Sequence, residues 1–360
     1  MAGQCRPSWH RSIAAMRLIR RAMQAMPGAM PRRLFTVLLL VGLAPVIWLR
    51  EPVLPNDTQS VSAVSLPLTR DQAGLGPFRL TGAWDLSSPN RDFGGYSALV
   101  VSGPGRLSAF SDFGVRLDLP MPGQPGAVRI ARLLPKYAGV KSSRDVEAAA
   151  LDQDGVAVWL TLERRNTFMR TAPGQAKPEV FAAPELAGWP ENSGPEAMTR
   201  LRDGRFLVIA EAGGPAHQGR LLPHAPDGTD RSWHFRYLAP AGYRPTDVAQ
   251  LPDGRVLILL RELRWPMPPR FGTKLVLADP ATIRRGQDWG GTMLASLDGT
   301  GLEENYEGLA IEPGPDGTLN AWLISDNNNA ATQRTLLLRL QFRLSDLPPR
   351  GSQAKQKAPG

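Results

Sequence analysis

The stretch Tyr96-Ser97-Ala98-Leu99-Val100 opens a degenerate unit that returns four more times along the chain. Each copy begins with an acidic or hydroxyl residue and an apolar run, passes through a turn rich in Gly and Asp, and ends in a second apolar run closed by a polar residue. The copies are Gly95–Asp112, Asp145–Glu163, Gly194–Glu211, Arg244–Glu262 and Asn305–Asp326. Their leading residues are Ser97, Glu147, Glu196, Asp247 and Glu307, at intervals of 50, 49, 51 and 60 residues. Periods of about 40 to 50 residues are typical of propeller blades.

The spacing therefore predicts an all-β propeller of four-stranded blades, five by count. An apolar segment before each later copy supplies its predecessor's fourth strand, and Phe78 to Leu86 is predicted to complete the last blade, which would close the ring and remove two open sheet edges. Six blades remain an alternative if the segment around Val61 to Leu68 contributes strands. The long fourth interval contains Arg264-Trp265-Pro266-Met267-Pro268-Pro269, which we interpret as a loop insertion. A sandwich of two sheets would not produce five such evenly spaced units.

The positive charge of the chain is concentrated at its start. Of the net charge of +9, residues 1–50 contribute eight arginines and no acid, which leaves 34 basic and 33 acidic groups in the rest. No basic stripe interleaved with aromatic residues is present, so the sequence argues against a nucleic-acid partner. At 42% hydrophobic residues, the body is rich enough in apolar side chains for a sizeable core.

The basic start precedes Leu34 to Leu49, sixteen residues without charge, which is typical of an export signal or a membrane anchor. We predict a basic leader (1–33), a signal or transmembrane helix (34–50), a tether (51–76), the propeller (77–345) and a disordered tail (346–360). The expected location is the periplasm or the outer face of the inner membrane. Three points stay open: whether the signal is cleaved, whether export follows the Sec route or the twin-arginine route that Arg32-Arg33 suggests, and whether the chain starts at Met26 or Met30. Cys5, the only cysteine, lies in the leader, so the body is expected to form no disulfide.

Acidic residues lead four of the five inner strands. Because these strands begin near the central channel of a propeller, Glu147, Glu196, Asp247 and Glu307 are predicted to converge on one mouth as catalytic carboxylates. So many carboxylates need a balancing cation, and Ca²⁺ is the first choice for oxygen ligands in an exported protein. The predicted metal ligands are these four residues and Asp326. The alternative is that the acids cap loops or pair with arginines.

Arginines occur close to the ends of the second strands, beside the starts of the first. We predict that Arg164, Arg165, Arg261 and Arg334 bind a small anionic or ester substrate, since guanidinium groups hold phosphate and carboxylate oxygens with two parallel hydrogen bonds. Ion pairing with the nearby acids is the alternative for each of them. Ser97 is a further candidate nucleophile, but no residue near it in sequence marks a base.

Several ordered motifs carry a family resemblance: Gly94-Gly95-Tyr96-Ser97-Ala98-Leu99, Asp145-Val146-Glu147-Ala148, Glu163-Arg164-Arg165, Gly194-Pro195-Glu196-Ala197, Arg244-Pro245-Thr246-Asp247, Tyr306-Glu307-Gly308-Leu309 and Ile324-Ser325-Asp326-Asn327-Asn328. Over about residues 78 to 344 the chain resembles the bacterial "esterase-like activity of phytase" family. The resemblance implies an exported propeller with ester or phosphoester hydrolase activity. It marks as site residues Glu147, Glu163, Arg164, Glu196, Asp247, Glu307 and Asp326.

Tyr96 and Ala98, beside Ser97, depart from the residues expected of the family. The leading hypothesis is a metal-assisted hydrolase of phosphate or carboxylic esters. The alternative hypothesis is a noncatalytic binding or envelope scaffold propeller, because propellers often bind without reacting.

Overall fold

The computed structural model describes residues 56–68, 72–133, 145–163, 166–175, 177–190, 193–214, 216–224, 226, 231–265 and 270–351. All of these belong to one compact unit, Glu51–Gly360. The predicted leader and apolar helix, residues 1–50, lie outside the described residues. Within the described ranges, no helix has the length and apolar character needed to cross a membrane.

Each of five sheets contributes four strands to a blade, and strands are numbered here in chain order. The innermost strands are β3 (Tyr96–Gly103), β7 (Val146–Leu151), β11 (Pro195–Arg200), β15 (Arg244–Gln250) and β20 (Tyr306–Pro313). The second strands are β4 (Arg106–Ser111), β8 (Val158–Leu162), β12 (Phe206–Ala210), β16 (Val256–Arg264) and β21 (Thr318–Ser325). The third strands are β5 (Val115–Pro120), β9 (Thr167–Thr171), β13 (Ala216–Leu222), β17 (Arg270–Ala278) and β22 (Thr335–Arg343). The fourth strands are β6 (Arg129–Arg132), β10 (Glu179–Ala182), β14 (Trp233–Leu238), β19 (Thr292–Ser296) and β2 (Arg79–Ser87).

The predicted five-bladed propeller is confirmed. Blade one comprises β3–β6, blade two β7–β10, blade three β11–β14, blade four β15–β17 with β19, and blade five β20–β22 with β2. The N-terminal strand β2 runs antiparallel to β22 and so supplies the fourth strand of the last blade. This closure is reinforced by Trp84 of β2, whose ring stacks on Trp322 of β21 with centroids 5.8 Å apart.

Two further strands widen the outer edges of blades. Strand β1 (Ser62–Ser65) pairs with β2, so the segment around Val61 to Leu68 adds a fifth strand to blade five and does not build a sixth blade. The predicted tether therefore includes part of the fold. Strand β18 (Asp288–Trp289) leaves blade four to pair in parallel with β14 of blade three. Short 3₁₀ turns occupy Ala73–Leu75, Pro184–Leu186, Pro280–Thr282, Pro315–Gly317 and Leu344–Asp346.

The predicted tail also begins inside the fold. Leu347 is buried in the core cluster between blades four and five. The Arg350 guanidinium lies 2.8 Å from the Asp279 carboxylate. Ordered contacts thus extend beyond position 345, the predicted end of the propeller.

Among the residues that the structure describes, the buried apolar side chains form five clusters, one at each junction between neighbouring blades. Leu99 and Trp322, for example, share the cluster that joins blade one to blade five. At this junction Gly308 lies so close to β3 that a β-carbon on it would come within 2.9 Å of the Ala98 backbone. Burying a leucine-sized side chain stabilises a fold by about 1.5–3 kcal/mol, so packing can hold the ring together without disulfides.

Candidate functional site

A bulge near the start of each innermost strand selects the side chains at one mouth of the propeller. In every blade one residue of the inner strand is skipped in the pairing with the second strand, as between Val146 and Ala148 opposite Leu162 and Thr161. The skipped residues are Ser97, Glu147, Glu196, Thr246 and Glu307. The skipped residues are thus three glutamates and two hydroxyl residues, which we call the bulge ring.

Asp247, predicted to be one of the converging acids, lies outside this ring. It pairs with Leu259 one position after the bulge, and its carboxylate accepts hydrogen bonds from the backbone N–H groups of Val248 and Leu309 at 2.8 and 2.7 Å. Burial raises the pKa of Asp247, and these two donors partly offset the effect. Its carboxylate thus fastens blade four to the inner strand of blade five. The bulge residue of blade four is Thr246, whose hydroxyl lies 3.2 Å from the Tyr306 carbonyl.

A second ring of polar residues follows the second strands. Each blade contributes one residue to this ring. In four blades the backbone N–H of that residue donates to the carbonyl of the residue two positions before the bulge residue, as Glu163 does to Asp145 at 2.8 Å. Blade four has the same pairing, between Arg261 and Arg244. The second ring is accordingly Asp112, Glu163, Glu211, Arg261 and Asp326. Blade four therefore carries a cation where the other four blades carry an acid.

Arg261 ties blades three, four and five together at the mouth. Its guanidinium donates to the Glu307 carboxylate at 2.5 Å, the Asn305 side-chain carbonyl at 2.7 Å and the Glu211 carboxylate at 2.8 Å. Arg244 approaches the same Glu211 oxygen at 3.5 Å. Burial opposes the charge of Arg261, but Glu307 and Glu211 more than offset it, so the pKa of Arg261 is raised. This arginine is a fixed counterion of the acids, the alternative that the sequence left open.

The three glutamates of the bulge ring, Glu147, Glu196 and Glu307, are buried. Burial raises the pKa of Glu147 well above its ordinary value, and Glu196, Glu163 and Glu307 add to the effect. The pKa of Glu196 is likewise raised well above its usual range by burial and by Glu211. Burial also raises the pKa of Glu307, but by less, because Arg261 and Asn305 oppose the effect. Within the described part of the chain, the side chains of Glu147 and Glu196 make no hydrogen bond.

Asp326 and its loop form the blade-five side of the mouth. Burial, followed by the charges of Glu307 and Asp112, raises the pKa of Asp326 well above its ordinary value. The adjacent Asn327 side-chain carbonyl accepts from the Gly95 N–H at 3.1 Å. Gly95 has φ +68°, and a β-carbon there would come within 2.6 Å of the Asp112 carboxylate. A glycine is therefore needed at position 95, both for the backbone conformation and for the close approach to Asp112.

One group of carboxylates is compact enough to hold a metal ion. Oxygens of Asp145, Glu147 and Glu163 all lie within 4.8 Å of one another. Two oxygens bound to one Ca²⁺ at 2.3–2.6 Å can be up to about 5 Å apart, so this donor set fits a hard divalent cation. Of the predicted ligands only Glu147 belongs to it. Glu163 is one of the site residues that the family resemblance implies. Asp145 was not predicted, and the feature of the sequence that could have indicated it is its position at the start of the second repeat copy.

The other predicted arginines do not join Arg261. Arg334 lies beside a separate cavity of about 310 Å³, lined also by Asp85 and Asn329, and pairs with Glu304 at 2.8 Å. Arg164 and Arg165 lie outside the described residues. Of the three histidines in blade three, His217 is buried and contacts the Glu211 carbonyl through Nδ1 at 2.8 Å. A larger cavity of about 570 Å³ lies at the opposite end of the inner strands and is lined by residues such as Leu151, Gln250 and Ile311.

The raised pKa values of Glu147 and Glu196 predict that, without added divalent cation, the fold loses stability as pH rises from the ordinary carboxyl value of about 4.5 through the higher folded-state values. A carboxyl group whose pKa is higher in the folded state binds protons more tightly there, so its stabilising effect is lost as pH rises through the folded pKa. Each unit of difference corresponds to about 1.4 kcal/mol. His217, whose pKa is lowered by burial, acts in the opposite sense only near and below its ordinary value of 6.5. Urea unfolding in chelator at pH 5, 6, 7 and 8 measures the slope.

The matched variant for this experiment is Glu196→Gln, which removes one titrating group from the mouth. We expect a shallower decline than in the parent protein. A stability that increases over this pH range in the parent, or a slope that Glu196→Gln leaves unchanged, would contradict the prediction.

Comparison with solved structures finds distant similarity to several proteins, all at low identity. Hydrazine synthase of Kuenenia stuttgartiensis shares 12% identity over 66% of this chain and 58% of its own, with a TM-score of 0.37. The β-propeller domain of Cps50 (Swd1) from Myceliophteria thermophila shares 10% identity over 77% of this chain and 99% of its own, with a TM-score of 0.37. The GH74 enzyme of Niastella koreensis shares 11% identity over 69% and 44%, with a TM-score of 0.40.

Comparison with curated proteins gives no match. A family model described as "Phytase-like: Esterase-like activity of phytase" matches residues 91–329. This range contains every residue of both rings of the mouth, and strands β2 and β22 of blade five lie outside it. The matched range covers well over half of the chain. The expected resemblance is thereby confirmed, and the chain belongs to the phytase-like family, esterase-like activity of phytase.

Proposed function

We propose that the protein hydrolyses phosphate or carboxylic esters at the acidic mouth, with the help of a divalent cation, Ca²⁺ first. The observation that carries the proposal is the pair of polar rings: buried carboxylates from different blades meet at one opening and are interrupted by the cationic residues of blade four. Such an arrangement is expensive to maintain for a fold that needs only packing, because buried like charges destabilise it. Membership of the phytase-like family supports the reaction class.

The cation would be held by Asp145, Glu147 and Glu163, whose carboxylate oxygens have the spacing described above. When bound, such an ion would act as a Lewis acid toward an oxygen of the ester. It would also neutralise part of the charge that raises the pKa of Glu147. The predicted ligands Glu196, Glu307 and Asp326 lie in the same mouth, whereas Asp247 has no part in this proposal.

Glu196 has the properties of the general base. It is 9% exposed, its pKa is raised toward the range in which a carboxyl group can both accept and return a proton, and its side chain has no hydrogen-bond partner among the described residues. In the proposed reaction Glu196 takes a proton from water as the water oxygen bonds to phosphorus or acyl carbon. The bond to the alkoxy oxygen breaks, and Glu196 returns the proton to that leaving oxygen.

Arg261 and Glu307 would have a positioning role. Arg261 is fixed by three acceptors from neighbouring blades and keeps Glu307 beside the opening. The guanidinium also lowers the negative potential on the blade-four side of the mouth, which would favour an anionic or strongly polar ester there. Arg164 and Arg165 remain candidate substrate contacts from the sequence, and Arg334 borders its own cavity.

We further propose that this hydrolase works outside the cytoplasm, tethered by Leu34 to Leu49 or released after cleavage. Support comes from the arginine-rich start followed by sixteen uncharged residues. Cell fractionation with N-terminal sequencing of the recovered protein tests this. Recovery of the intact chain from the cytosol alone would overturn it.

The test of function is a panel of phosphomonoesters and carboxylic esters assayed with Ca²⁺ and with chelator. We expect hydrolysis with Ca²⁺, a large loss with chelator, and an increase in melting temperature on adding Ca²⁺. Asp145→Asn should lose that increase, whereas Glu179→Gln, which changes an exposed acid on the outer strand β10, should keep it. No hydrolysis across the panel and no response to Ca²⁺ would favour the noncatalytic scaffold.

A further inference from the structure

A cavity of about 310 Å³ lies between the end of β2 and the loop that leads from β21 into β22. One wall is formed by residues between Asp85 and Phe93, and the other by residues between Asn327 and Thr335. Asn327 directly follows Asp326 of the second ring, so this cavity, which we call the Arg334 cavity, adjoins the blade-five side of the mouth. Ligand pockets in proteins generally have volumes of about 300–1,000 Å³, so a cavity of this size suits a small molecule.

Arg334 presents a fixed guanidinium to the cavity. Its Nε donates to the Glu304 carboxylate at 2.8 Å, and Glu304 is 7% exposed. The Arg334 side chain itself is 42% exposed. Among the described residues, its two terminal NH₂ groups have no hydrogen-bond acceptor. Glu304 therefore holds the guanidinium through Nε and leaves the edge that carries both NH₂ groups available to a ligand.

Two side-chain amides of the lining have their carbonyl oxygens engaged. That of Asn327 accepts from the backbone N–H groups of Gly95 at 3.1 Å and Asn329 at 3.2 Å. That of Gln333 accepts from the Asn328 side chain at 2.8 Å. Within the described ranges neither amide NH₂ group has a hydrogen-bond partner, so both remain as donors. The cavity thus has hydrogen-bond donors in addition to the guanidinium, and a carboxylate, which only accepts, is a suitable partner for them.

One acid lines the same cavity. Asp85 is half-buried, and among the described residues its carboxylate makes no hydrogen bond and no ion pair. Its charge still acts on Arg334: burial opposes the charge of Arg334, but Glu304 and, after it, Asp85 more than offset burial, so the pKa of Arg334 is raised. The remaining charged residue of the lining, Arg91, is paired with Asp57 at 2.7 Å. The cavity therefore offers one cation with unused donors and one anion with unused acceptors, which are near each other but not paired.

We propose that the Arg334 cavity binds a free α-amino acid, with the carboxylate of the ligand on Arg334 and its ammonium group on Asp85. A carboxylate accepts two parallel hydrogen bonds from a guanidinium, and the ammonium group supplies the donors that the carboxylate of Asp85 requires. Because the two protein charges are not paired with each other, a ligand that carries both signs satisfies both without breaking an ion pair. A simple anion such as inorganic phosphate is the competing occupant, and the charge of Asp85 opposes it. The inference does not depend on the proposed hydrolase function, since no residue of the bulge ring or of the second ring lines this cavity.

Calorimetry on the full chain measures binding of the standard amino acids and of inorganic phosphate. Each amino acid that binds is compared with the carboxylic acid that lacks its amino group and with the amine that lacks its carboxyl group; for L-alanine these are propionate and ethylamine. We expect at least one amino acid to bind, and removal of either charged group to weaken binding by about tenfold or more, the effect of losing one charge-assisted contact. Absence of binding by every amino acid would overturn the inference. Equal affinity for an amino acid and its deaminated acid, or tighter binding of inorganic phosphate, would also overturn it, since either result indicates a simple anion site.

Two variants separate the two charges. Asp85→Asn should weaken amino-acid binding about tenfold and leave binding of the deaminated acid unchanged. Arg334→Lys retains a charge beside Glu304 but lacks the planar fork of donors, so it should weaken binding of both the amino acid and the deaminated acid and leave the amine unchanged.

Arg79→Lys is the matched control, because Arg79 lies on β2 with Asp85 but donates to Gln341 at 2.7 Å and does not line the cavity. It should change the affinity for none of these ligands. Amino-acid affinity that is the same in the Asp85, Arg334 and Arg79 variants would place the binding site elsewhere and refute the inference. If amino acids bind as expected but no ester is hydrolysed, the proposed function fails while this binding site stands.

Discussion

The Arg261→Met variant is expected to lose about 3–5 kcal/mol of unfolding free energy, the largest loss of stability that we predict for a single substitution at the mouth. Methionine retains most of the apolar stem of the side chain but removes the charge. Glu211 and Glu307 would then lose their common partner, with Glu196 nearby and no cation of the second ring left to replace it. Removing one partner of a buried ion pair leaves uncompensated buried charge. Urea denaturation at neutral pH in chelator measures the loss.

A suitable control is Arg264→Met, three residues further along the same strand. Arg264 also bridges two acids, Glu262 and Asp298, but its side chain is 40% exposed, against 20% for Arg261. Pairs this accessible to water contribute at most about 1 kcal/mol. Adding Glu307→Gln to Arg261→Met should restore part of the lost stability by removing one orphaned charge. Equal losses in the two arginine variants, or no recovery in the double variant, would show that Arg261 does not hold the rings together.

The Glu147→Gln variant is expected to lose hydrolytic activity by about 10²–10⁴-fold, the range of effects seen when a positioned acid–base or metal-binding group is removed. Glu147 belongs both to the bulge ring and to the compact carboxylate group with Asp145 and Glu163. The amide retains the shape of the side chain but lacks the charge that a hard cation prefers. The stabilisation by Ca²⁺ should disappear with the activity. Parallel assays of ester hydrolysis and of melting temperature with and without Ca²⁺ measure both effects.

The counterpart of Glu147→Gln is Asp247→Asn, which changes an acid that the sequence grouped with it. An asparagine cannot accept from both Val248 and Leu309 with the same geometry, since one oxygen becomes an NH₂ group. Leaving a buried backbone donor unsatisfied costs about 1–3 kcal/mol. Asp247→Asn should therefore lower stability but leave the rate per folded molecule nearly unchanged. Retained activity in Glu147→Gln, or a larger loss in Asp247→Asn, would place the chemistry elsewhere.

Much of the architecture follows from local pattern. The repeat whose copies are led by Ser97, Glu147, Glu196, Asp247 and Glu307 predicted the blade count. The alternation of Phe78 to Leu86 predicted the strand that closes the ring as β2. Strand formation depends on neighbouring residues and on turns, and a ring of repeats restricts what each repeat can contact. For these features a single chain contains the necessary information.

The candidate site was predicted less completely. Glu147, Glu196, Glu307, Asp326 and Arg261 do meet at one mouth. The predictions did not include Asp145, Asn305 or Glu211 among the catalytic, substrate-binding or metal-binding residues, although each stands at the beginning or end of a repeat copy. A polar residue at the end of a strand has the same appearance in sequence whether it faces solvent, caps a loop or holds a neighbour in place.

The fourth blade explains the difference. In Arg244-Pro245-Thr246-Asp247 two adjacent polar residues compete for the bulge, and an acid at 247 matched the other copies better than a threonine at 246. Pairing with β16 makes Thr246 the skipped residue and leaves Asp247 to bind the backbone of blade five. The period and order of the strands follow from residues close together in the chain. The identity of the residue that faces the mouth depends on hydrogen bonds between strands and between blades, and a one-residue change in register moves a side chain from one face of a sheet to the other.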